Sequence, residues 1–165
     1  MNFTYKTATL NINAISSPMK IKMLTNFLLG QDIRVDIALL QDVANDDLSN
    51  IYGYNAHINE GTEKRGTAIL MKGGISVNNI KKLPSGRGIA GRFEDTWIIN
   101  VYAPSGAEKI YERENFFTNE LVYLLPTGPK EIILAGDFNC VIAPAEYIGS
   151  PNLSKALSST MTGIS

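Results

Sequence analysis

The stretch ILAGDFNC, residues 133–140, places an acid and an amide directly after an apolar run. The apolar residues 133–135 predict a buried β-strand, and the glycine that follows them predicts a turn. Asp137 and Asn139 stand two positions apart beyond that strand. Ligand and catalytic groups of layered proteins gather where strand ends meet loops. The stretch therefore predicts a layered sheet with a functional site at the end of a strand.

The N-terminal part of the chain predicts a strand, a helix and a second strand. In residues 7–15, TATLNINAI, polar and apolar residues alternate with a period of two, so Asn11 lies on the polar face. SSP at 16–18 predicts a helix start, and Gly30 predicts its end. VDIALLQDV, residues 35–43, predicts a short apolar strand that ends in polar residues. This order indicates a βαβ crossover or a close relative of it.

The rest of the chain predicts short strands and one further helix. Glycine-punctuated β segments between residues 54 and 102 predict an antiparallel meander. A helix is predicted over residues 106–125, ended by PTGP, and EIILA at 131–135 predicts a buried strand. The chain has no internal repeat and no low-complexity tract. We therefore predict one domain over residues 1–165, an α/β or α+β layered sandwich.

Composition is that of an ordinary soluble domain, with 44% hydrophobic and 19% charged residues and a net charge of −1. The charges are unevenly distributed, because residues 64–92 carry seven bases and no acid, whereas residues 36–47 carry four acids and no base. Such a split fits a phosphate-facing surface beside a cation-binding surface. It fits equally well solvated loops and edge strands that carry lysines.

Cysteine use and the N-terminus indicate the compartment. Cys140 is the single cysteine, so no disulfide forms within the chain and a reducing compartment fits best. The first residues, MNFTYKTATLNIN, lack the pattern of a signal peptide. No apolar run reaches the roughly 18 residues that span a membrane. We therefore expect an intracellular protein without a membrane partner.

Several predicted strands deliver a polar side chain at or near their ends: Asn11, Asp42, Tyr102, and Asp137 with Asn139. This set suits acyl transfer poorly, because it contains no nucleophile paired with a histidine. Carboxylate and amide oxygens suit Mg²⁺, while amide and phenol donors suit phosphoryl oxygens. A carboxylate can also orient or deprotonate an attacking water. The residues therefore favour phosphoester chemistry.

The motifs TLNINAI, LLQDV, GTAILMK, INVYAPSG and ILAGDFNCV follow one another in this order. In this order they resemble the endonuclease/exonuclease/phosphatase superfamily, which includes AP endonucleases and deoxyribonuclease I. More narrowly, the chain is similar to the endonuclease domain of LINE-type (non-LTR) retrotransposons, and SGRGIAG at 85–91 and the late SKAL add to this likeness. The resemblance covers about residues 5–157. It implies a four-layer α/β/β/α sandwich of the deoxyribonuclease I-like type.

The resemblance also implies a role for each strand-end residue. Asn11 would contact phosphate or the metal shell, Asp42 would stand at the position of a metal-binding glutamate, and Tyr102 would hydrogen-bond the scissile phosphate. Asp137 would position or activate the attacking water, and Asn139 would stabilise charge on the phosphoryl oxygens. The implied reaction is nicking of DNA with Mg²⁺, or with Mn²⁺ in its place. It leaves a 3′-hydroxyl that primes reverse transcription.

The partners implied by the resemblance are DNA as substrate and a reverse transcriptase within a longer polyprotein, with a nuclear location. With DNA as substrate, the basic run is expected to supply phosphate contacts from Lys64, Arg65, Arg87 and Arg92. Arg87 and Arg92 are preferred, because a guanidinium can bind phosphate through two hydrogen bonds.

Two features depart from the family pattern. Asp42 replaces a glutamate, which shortens the reach of the carboxylate by one methylene. The family's later aspartate strand and Ser-Asp-His motif have no counterpart, since Glu146 is the one acid after Asn139 and no histidine follows. The resemblance thus implies a C-terminally truncated domain with unpaired sheet edges. Two alternatives stay open: an inactive retrotransposon remnant or DNA-binding fragment, and a phosphatase of the same superfamily.

Overall fold

The computed structural model describes residues 4–15, 17–44, 48, 51–62, 65–128 and 130–140. The chain divides into two compact units: Met1–Tyr102 with Leu124–Asp137, and Ala103–Tyr123 with Phe138–Ser165. The single domain predicted over residues 1–165 stays a prediction. The first unit carries both sheets.

The described residues of the first unit form eight strands and one α-helix. They are β1 (Thr7–Asn11), α1 (Pro18–Leu29), β2 (Ile37–Val43), β3 (Tyr54–Asn59), β4 (Gly66–Lys72), β5 (Asn78–Lys82), β6 (Gly88–Phe93), β7 (Thr96–Tyr102) and β8 (Glu131–Asp137). The strands form two four-stranded sheets, one in the order β1-β2-β4-β3 and the other in the order β5-β6-β7-β8. Each sheet mixes parallel and antiparallel pairs.

The predicted βαβ unit is confirmed. β1 and β2 pair in parallel and α1 connects them. Ser17 caps α1, because its hydroxyl accepts a hydrogen bond from the backbone N–H of Lys20, and Pro18 is the first helical residue. The helix ends before Gly30 and buries Leu24 and Leu28.

The predicted single meander over residues 54–102 is wrong. β3 and β4 pair in the first sheet, whereas β5, β6 and β7 form a meander in the second sheet. The physical reason is that β4 already has β2 on one side and β3 on the other, so it offers β5 no edge to pair with. The chain therefore leaves the first sheet at Lys72 and enters the second at Asn78.

Alternate residues of β2 face two different hydrophobic layers. Ala38 and Leu40 pack in the layer that also contains Leu24 and Leu28 of α1. Side chains from β2 and β4 pack in the other layer against side chains of the second sheet: Ile37, Leu39, Ile69 and Met71 meet Ile89 and Ile98. Within the first unit this arrangement gives a helix, a sheet and a second sheet in layers. The predicted α/β layered sandwich is confirmed.

The predicted burial of β8 is wrong. Ile132, Ile133 and Leu134 are 43%, 43% and 40% exposed. An apolar run is typical of a strand that is covered on both faces. In the described part of the chain, β8 pairs only with β7 and ends the order of its sheet. Its apolar residues are therefore exposed at a sheet edge.

The second unit contains helical turns and the residues that precede and follow them. The helix predicted over 106–125 is realised as successive turns: a 3₁₀ helix Ala107–Lys109, α2 Ile110–Asn115, a π-helical turn Phe116–Glu120 and a 3₁₀ helix Leu121–Tyr123. Arg113 is fully buried and its Nη1 donates to the carbonyls of Pro104 and Gly106 at 2.8 and 3.1 Å. These bonds tie α2 to the loop before it. Within the described residues, no helix has the length and apolarity to cross a membrane.

A buried amide joins the two sheets of the first unit. Asn100 in β7 is fully buried, and its Nδ2 donates to the carbonyls of Leu40 and Ala68 at 2.8 and 2.9 Å. Its Oδ1 accepts a hydrogen bond of 2.7 Å from Nε2 of Gln41. These three bonds connect β7 to β2 and β4 across the sandwich.

We expect Asn100→Ala to lower the free energy of unfolding by about 2 to 4 kcal/mol, because buried polar groups lose their partners. Urea unfolding measures the change. Asn78→Ala, at an exposed position of β5, is the control and should change the value by less than about 0.5 kcal/mol. Equal effects of the two substitutions would contradict the role given to the buried amide.

Candidate functional site

Four strands of the first unit bring polar residues to one end of the sandwich. Asn11 is the last residue of β1, Asp42 lies at the end of β2, and Tyr102 and Asp137 end β7 and β8. Tyr102 is paired opposite Asp137 in the second sheet. Nδ2 of Asn11 donates to Oδ2 of Asp137 at 2.9 Å, and this bond joins the two sheets. Four residues predicted from the sequence therefore come together.

Asp42 lies in a β-bulge. The pairing of β2 with β4 shifts between Gln41 and Val43, and Asp42 has a φ of 55°. A non-glycine residue with positive φ is strained and needs support from its surroundings. Its side chain is buried: Oδ2 lies 3.2 Å from Nη1 of Arg65, whereas Oδ1 has no hydrogen-bond partner among the described residues. A buried carboxylate oxygen in this state is suited to bind a cation.

Two of the predicted basic residues lie at this end of the sandwich. Arg65 contacts Asp42 and lies close enough to the Tyr102 phenol to lower its pKa. Cζ of Arg87 lies 5.6 Å from the centroid of the Tyr102 ring, which is within the range of a cation–π interaction. Arg65 and Arg87 therefore flank the Tyr102 side chain.

The other two predicted basic residues are Arg92 and Lys64. Arg92 is near the far end of β6, opposite Trp97, whereas Arg87 directly precedes the strand. The guanidinium of Arg92 pairs with Asp95 at 3.1 Å. Lys64 lies outside the described residues. The phosphate contacts predicted for these two residues stay predictions.

The site raises the pKa of the Tyr102 phenol. Burial of the side chain is the largest cause, and the Asp42 carboxylate adds to it. Arg65 and Arg87 act in the opposite direction, Arg65 through hydrogen bonding and charge. Because the neutral form is favoured, the phenol stays a hydrogen-bond donor through the neutral and mildly alkaline range.

We expect the absorbance difference between the wild type and Tyr102→Phe to show tyrosinate formation only above a pH of about 10, the ordinary value for this group. In an Arg65→Met background the same transition should move to higher pH, since Arg65 lowers the pKa of this phenol. Spectrophotometric titration of the four proteins measures both shifts. A transition below the ordinary value would show that the phenol is not desolvated.

Asn139 lies in the second unit. Its Nδ2 donates to the carbonyl of Ala103 at 2.7 Å, and its φ is 48°. In the same unit, the ring of Phe138 stacks on that of Phe117 with centroids 6.2 Å apart. The phosphate-stabilising role predicted for Asn139 stays a prediction.

Sequence reasoning missed three residues that support the strand ends: Gln41, Asn100 and Gly136. Gln41 and Asn100 interrupt apolar strands, and this interruption is the signal that could have identified them. Gly136 stands in β8 immediately before Asp137, where glycine in a strand marks a close backbone approach. A Cβ at Gly136 would lie 2.0 Å from the carbonyl oxygen of Val101, and its φ is 143°. This glycine therefore lets β8 approach β7 just before Asp137.

We expect Gly136→Ala to lower the free energy of unfolding by about 2 kcal/mol or more, because the added Cβ meets backbone and the φ is unfavourable. Gly74→Ala is the matched control: its φ is 91°, but nothing lies within 4 Å of the added Cβ. Chemical denaturation of both variants separates the clash from the backbone strain. A control as damaging as Gly136→Ala would refute the close approach.

The donor set of the site fits a hard divalent cation that keeps water or substrate ligands. Asp42 offers a buried oxygen without a partner in the residues that the structure describes, and the Asn11 amide and the Asp137 carboxylate lie at the same end of the sandwich. Across the described residues, no three His, Cys, Asp or Glu side chains form a metal-binding group. The residues therefore do not form an all-protein cage. Mg²⁺ is typically held by one or two carboxylates together with waters and substrate phosphates.

Comparison with solved structures defines the fold. An AP endonuclease from Archaeoglobus fulgidus superposes with a TM-score of 0.73 at 20% identity, covering 96% of this chain and 70% of that one. The 3′-5′ exonuclease NExo from Neisseria meningitidis gives a TM-score of 0.66 at 18% identity, covering 96% and 68%. Truncated TDP2 from Caenorhabditis elegans gives 0.61 at 18% identity, covering 81% of this chain and 61% of that one.

These likenesses show that the chain shares the fold of these three proteins. The predicted α/β sandwich of the deoxyribonuclease I-like type is confirmed. The chain spans less than two-thirds of TDP2 and somewhat more than two-thirds of the other two proteins. No protein-family model matches the sequence, and no curated protein does.

Proposed function

We propose that this chain hydrolyses phosphodiester bonds and nicks DNA with the help of a divalent cation. The observation that carries the proposal is the meeting of Asn11, Asp42, Tyr102 and Asp137 at one end of the sandwich. These are the residue types that phosphodiester hydrolysis needs: carboxylates for cation and water, and neutral donors for phosphoryl oxygens. The fold shared with nucleases agrees with this chemistry.

Each residue has a task in this proposal. Asp137 orients the attacking water and accepts its proton, and the hydrogen bond from Asn11 fixes the carboxylate that does so. Tyr102 donates its phenol hydrogen bond to a phosphoryl oxygen, which its raised pKa allows over a wide pH range. Asn139 is proposed to donate a further hydrogen bond to the phosphoryl oxygens.

Asp42 and Asn11 would hold the cation, Mg²⁺ or Mn²⁺ in its place. The buried Oδ1 of Asp42, to which no described residue hydrogen-bonds, supports this assignment. When bound, such a cation polarises a phosphoryl oxygen and lowers the pKa of a coordinated water. Arg65 and Arg87 contribute positive charge beside Tyr102, where a phosphate would bind.

The substrate class and the biological origin rest on two kinds of support. An AP endonuclease and a 3′-5′ exonuclease share the fold, and a Neisseria NExo variant was solved with a product DNA hairpin. The five ordered sequence motifs resemble the endonuclease domain of LINE-type retrotransposons. We therefore propose a retrotransposon-derived DNA endonuclease that acts in the nucleus, as one domain of a polyprotein with a reverse transcriptase.

We expect the purified protein to convert supercoiled plasmid to the nicked form with Mg²⁺, and Asp137→Asn to slow this by about 100-fold or more. Agarose electrophoresis follows the conversion, and extension by a polymerase tests for the 3′-hydroxyl. Asp32→Asn, at an exposed position after α1, should nick at the wild-type rate. EDTA should abolish nicking in every variant.

Other outcomes would select the alternatives. Retention of plasmid without cleavage would identify a DNA-binding remnant. Hydrolysis of phosphomonoesters without nicking would identify a phosphatase of the same fold. Nicking that survives Asp137→Asn unchanged would show that the assigned residue is wrong.

A further inference from the structure

We propose that Arg65 couples cation binding to phosphate binding: it neutralises Asp42 until a DNA phosphate draws the guanidinium away. This inference rests on the proposed function and names a regulatory step within the same site. Arg65 is a positioning residue in this role, because it acts on the cation through Asp42.

The first support is the contact itself. Nη1 of Arg65 lies 3.2 Å from Oδ2 of Asp42, so one oxygen of the carboxylate is already occupied by a positive charge. Oδ1 is buried, and no residue in the described part of the chain hydrogen-bonds to it. A cation approaching Asp42 thus meets a carboxylate whose Oδ2 is already paired with Arg65, and the positive guanidinium repels it.

The second support is the unequal burial of the two side chains. The Asp42 side chain is 4% exposed, whereas that of Arg65 is 55% exposed. The bulge in β2 and the pairing of Val43 with Gly66 hold the backbone of both residues. The carboxylate is therefore fixed, and the long arginine side chain is the partner that can turn toward solvent and a bound nucleic acid.

The third support is the contact of Arg65 with Tyr102. The guanidinium lies near the Tyr102 hydroxyl, which is the proposed phosphate donor, and lowers the pKa of that phenol. A phosphate that binds Tyr102 therefore lies within reach of Arg65, and a charged guanidinium–phosphate bond is stronger than its bond to a neutral phenol. As Arg65 turns to the phosphate, the full charge of Asp42 becomes available to the cation.

Arg87 supplies a matched control within the same site. It is also an arginine beside Tyr102, but it packs on the ring face, and its Nη1 lies 3.5 Å from the Tyr102 carbonyl. Asp42 pairs with Arg65. Substitution of Arg87 should therefore weaken phosphate binding while the ion pair between Arg65 and Asp42 stays in place.

The experiment measures Mn²⁺ binding to the full chain without DNA, by electron paramagnetic resonance of the free ion. We expect Arg65→Met to bind Mn²⁺ about 10-fold more tightly than the wild type, a modest gain because the arginine is half exposed. Arg87→Met should change the affinity by less than about 2-fold, since its charge is not paired with the carboxylate. Arg65→Lys retains the positive charge and should restore the wild-type affinity.

In Arg65→Met, the nicking rate is expected to fall although the affinity for Mn²⁺ rises. Despite tighter Mn²⁺ binding, Arg65→Met should nick plasmid more slowly at saturating Mn²⁺ and show a higher KM for DNA. A residue with only a structural role would lower both cation affinity and nicking when removed. Unchanged or weaker Mn²⁺ binding by folded Arg65→Met, checked by circular dichroism, would overturn the inference.

Single substitutions of Asp42 and Arg65 separate this inference from the proposed function. If Asp42→Asn removes Mn²⁺ binding while Arg65→Met leaves it at the wild-type level, the cation site stands and the coupling is wrong. If the wild type neither binds Mn²⁺ nor nicks DNA, both the proposed function and the coupling fail.

The double variant Asp42→Asn/Arg65→Met tests whether Arg65 acts through Asp42. The gain in Mn²⁺ affinity expected from the arginine substitution should vanish in it, and a persisting gain would contradict a pathway through Asp42. Arg65→Gln tests the same prediction if the methionine variant does not fold.

Discussion

The buried amide of Asn100 is the contact on which the geometry of this protein depends. It accepts from Gln41 and donates to two carbonyls of the first sheet, while Gln41 also donates to the hydroxyl of Thr9. Breaking such a network leaves polar groups buried without partners, so it holds the sheets in one register. Each of its three side chains stands one or two positions before a strand-end residue: Asn11, Asp42 and Tyr102. The contact that joins the sheets therefore also aligns the site.

Local features of the sequence predicted the parts of the fold that form locally. The cap and proline at the start of α1, and the alternation in β1, are properties of neighbouring residues, and both predictions hold. The split of the predicted meander and the exposure of β8 depend on which strands become neighbours across the chain. Periodicity carries no such information, because an apolar run looks alike in a central strand and at an edge.

The candidate site likewise has features that the local sequence predicts and features that depend on contacts between distant residues. Strand-end position and residue type were enough to select Asn11, Asp42, Tyr102 and Asp137, which the fold brings together. The bulge at Asp42 could not be predicted from the sequence, because it arises from the register between β2 and β4. The pairing of Asp42 with Arg65 was also invisible, since 23 positions separate them and charge type alone does not choose among seven bases.

The charges of the described residues at this end of the sandwich agree with the proposed binding of a cation together with a phosphate. Two carboxylates, Asp42 and Asp137, are accompanied by two guanidiniums, Arg65 and Arg87. The formal charges of these four side chains cancel, so either proposed ligand alone would add its own charge to this set. Bound together, the two ligands largely offset one another. Because Asp42 is buried and Arg65 is half exposed, the arginine is the member of the set that can redistribute this charge.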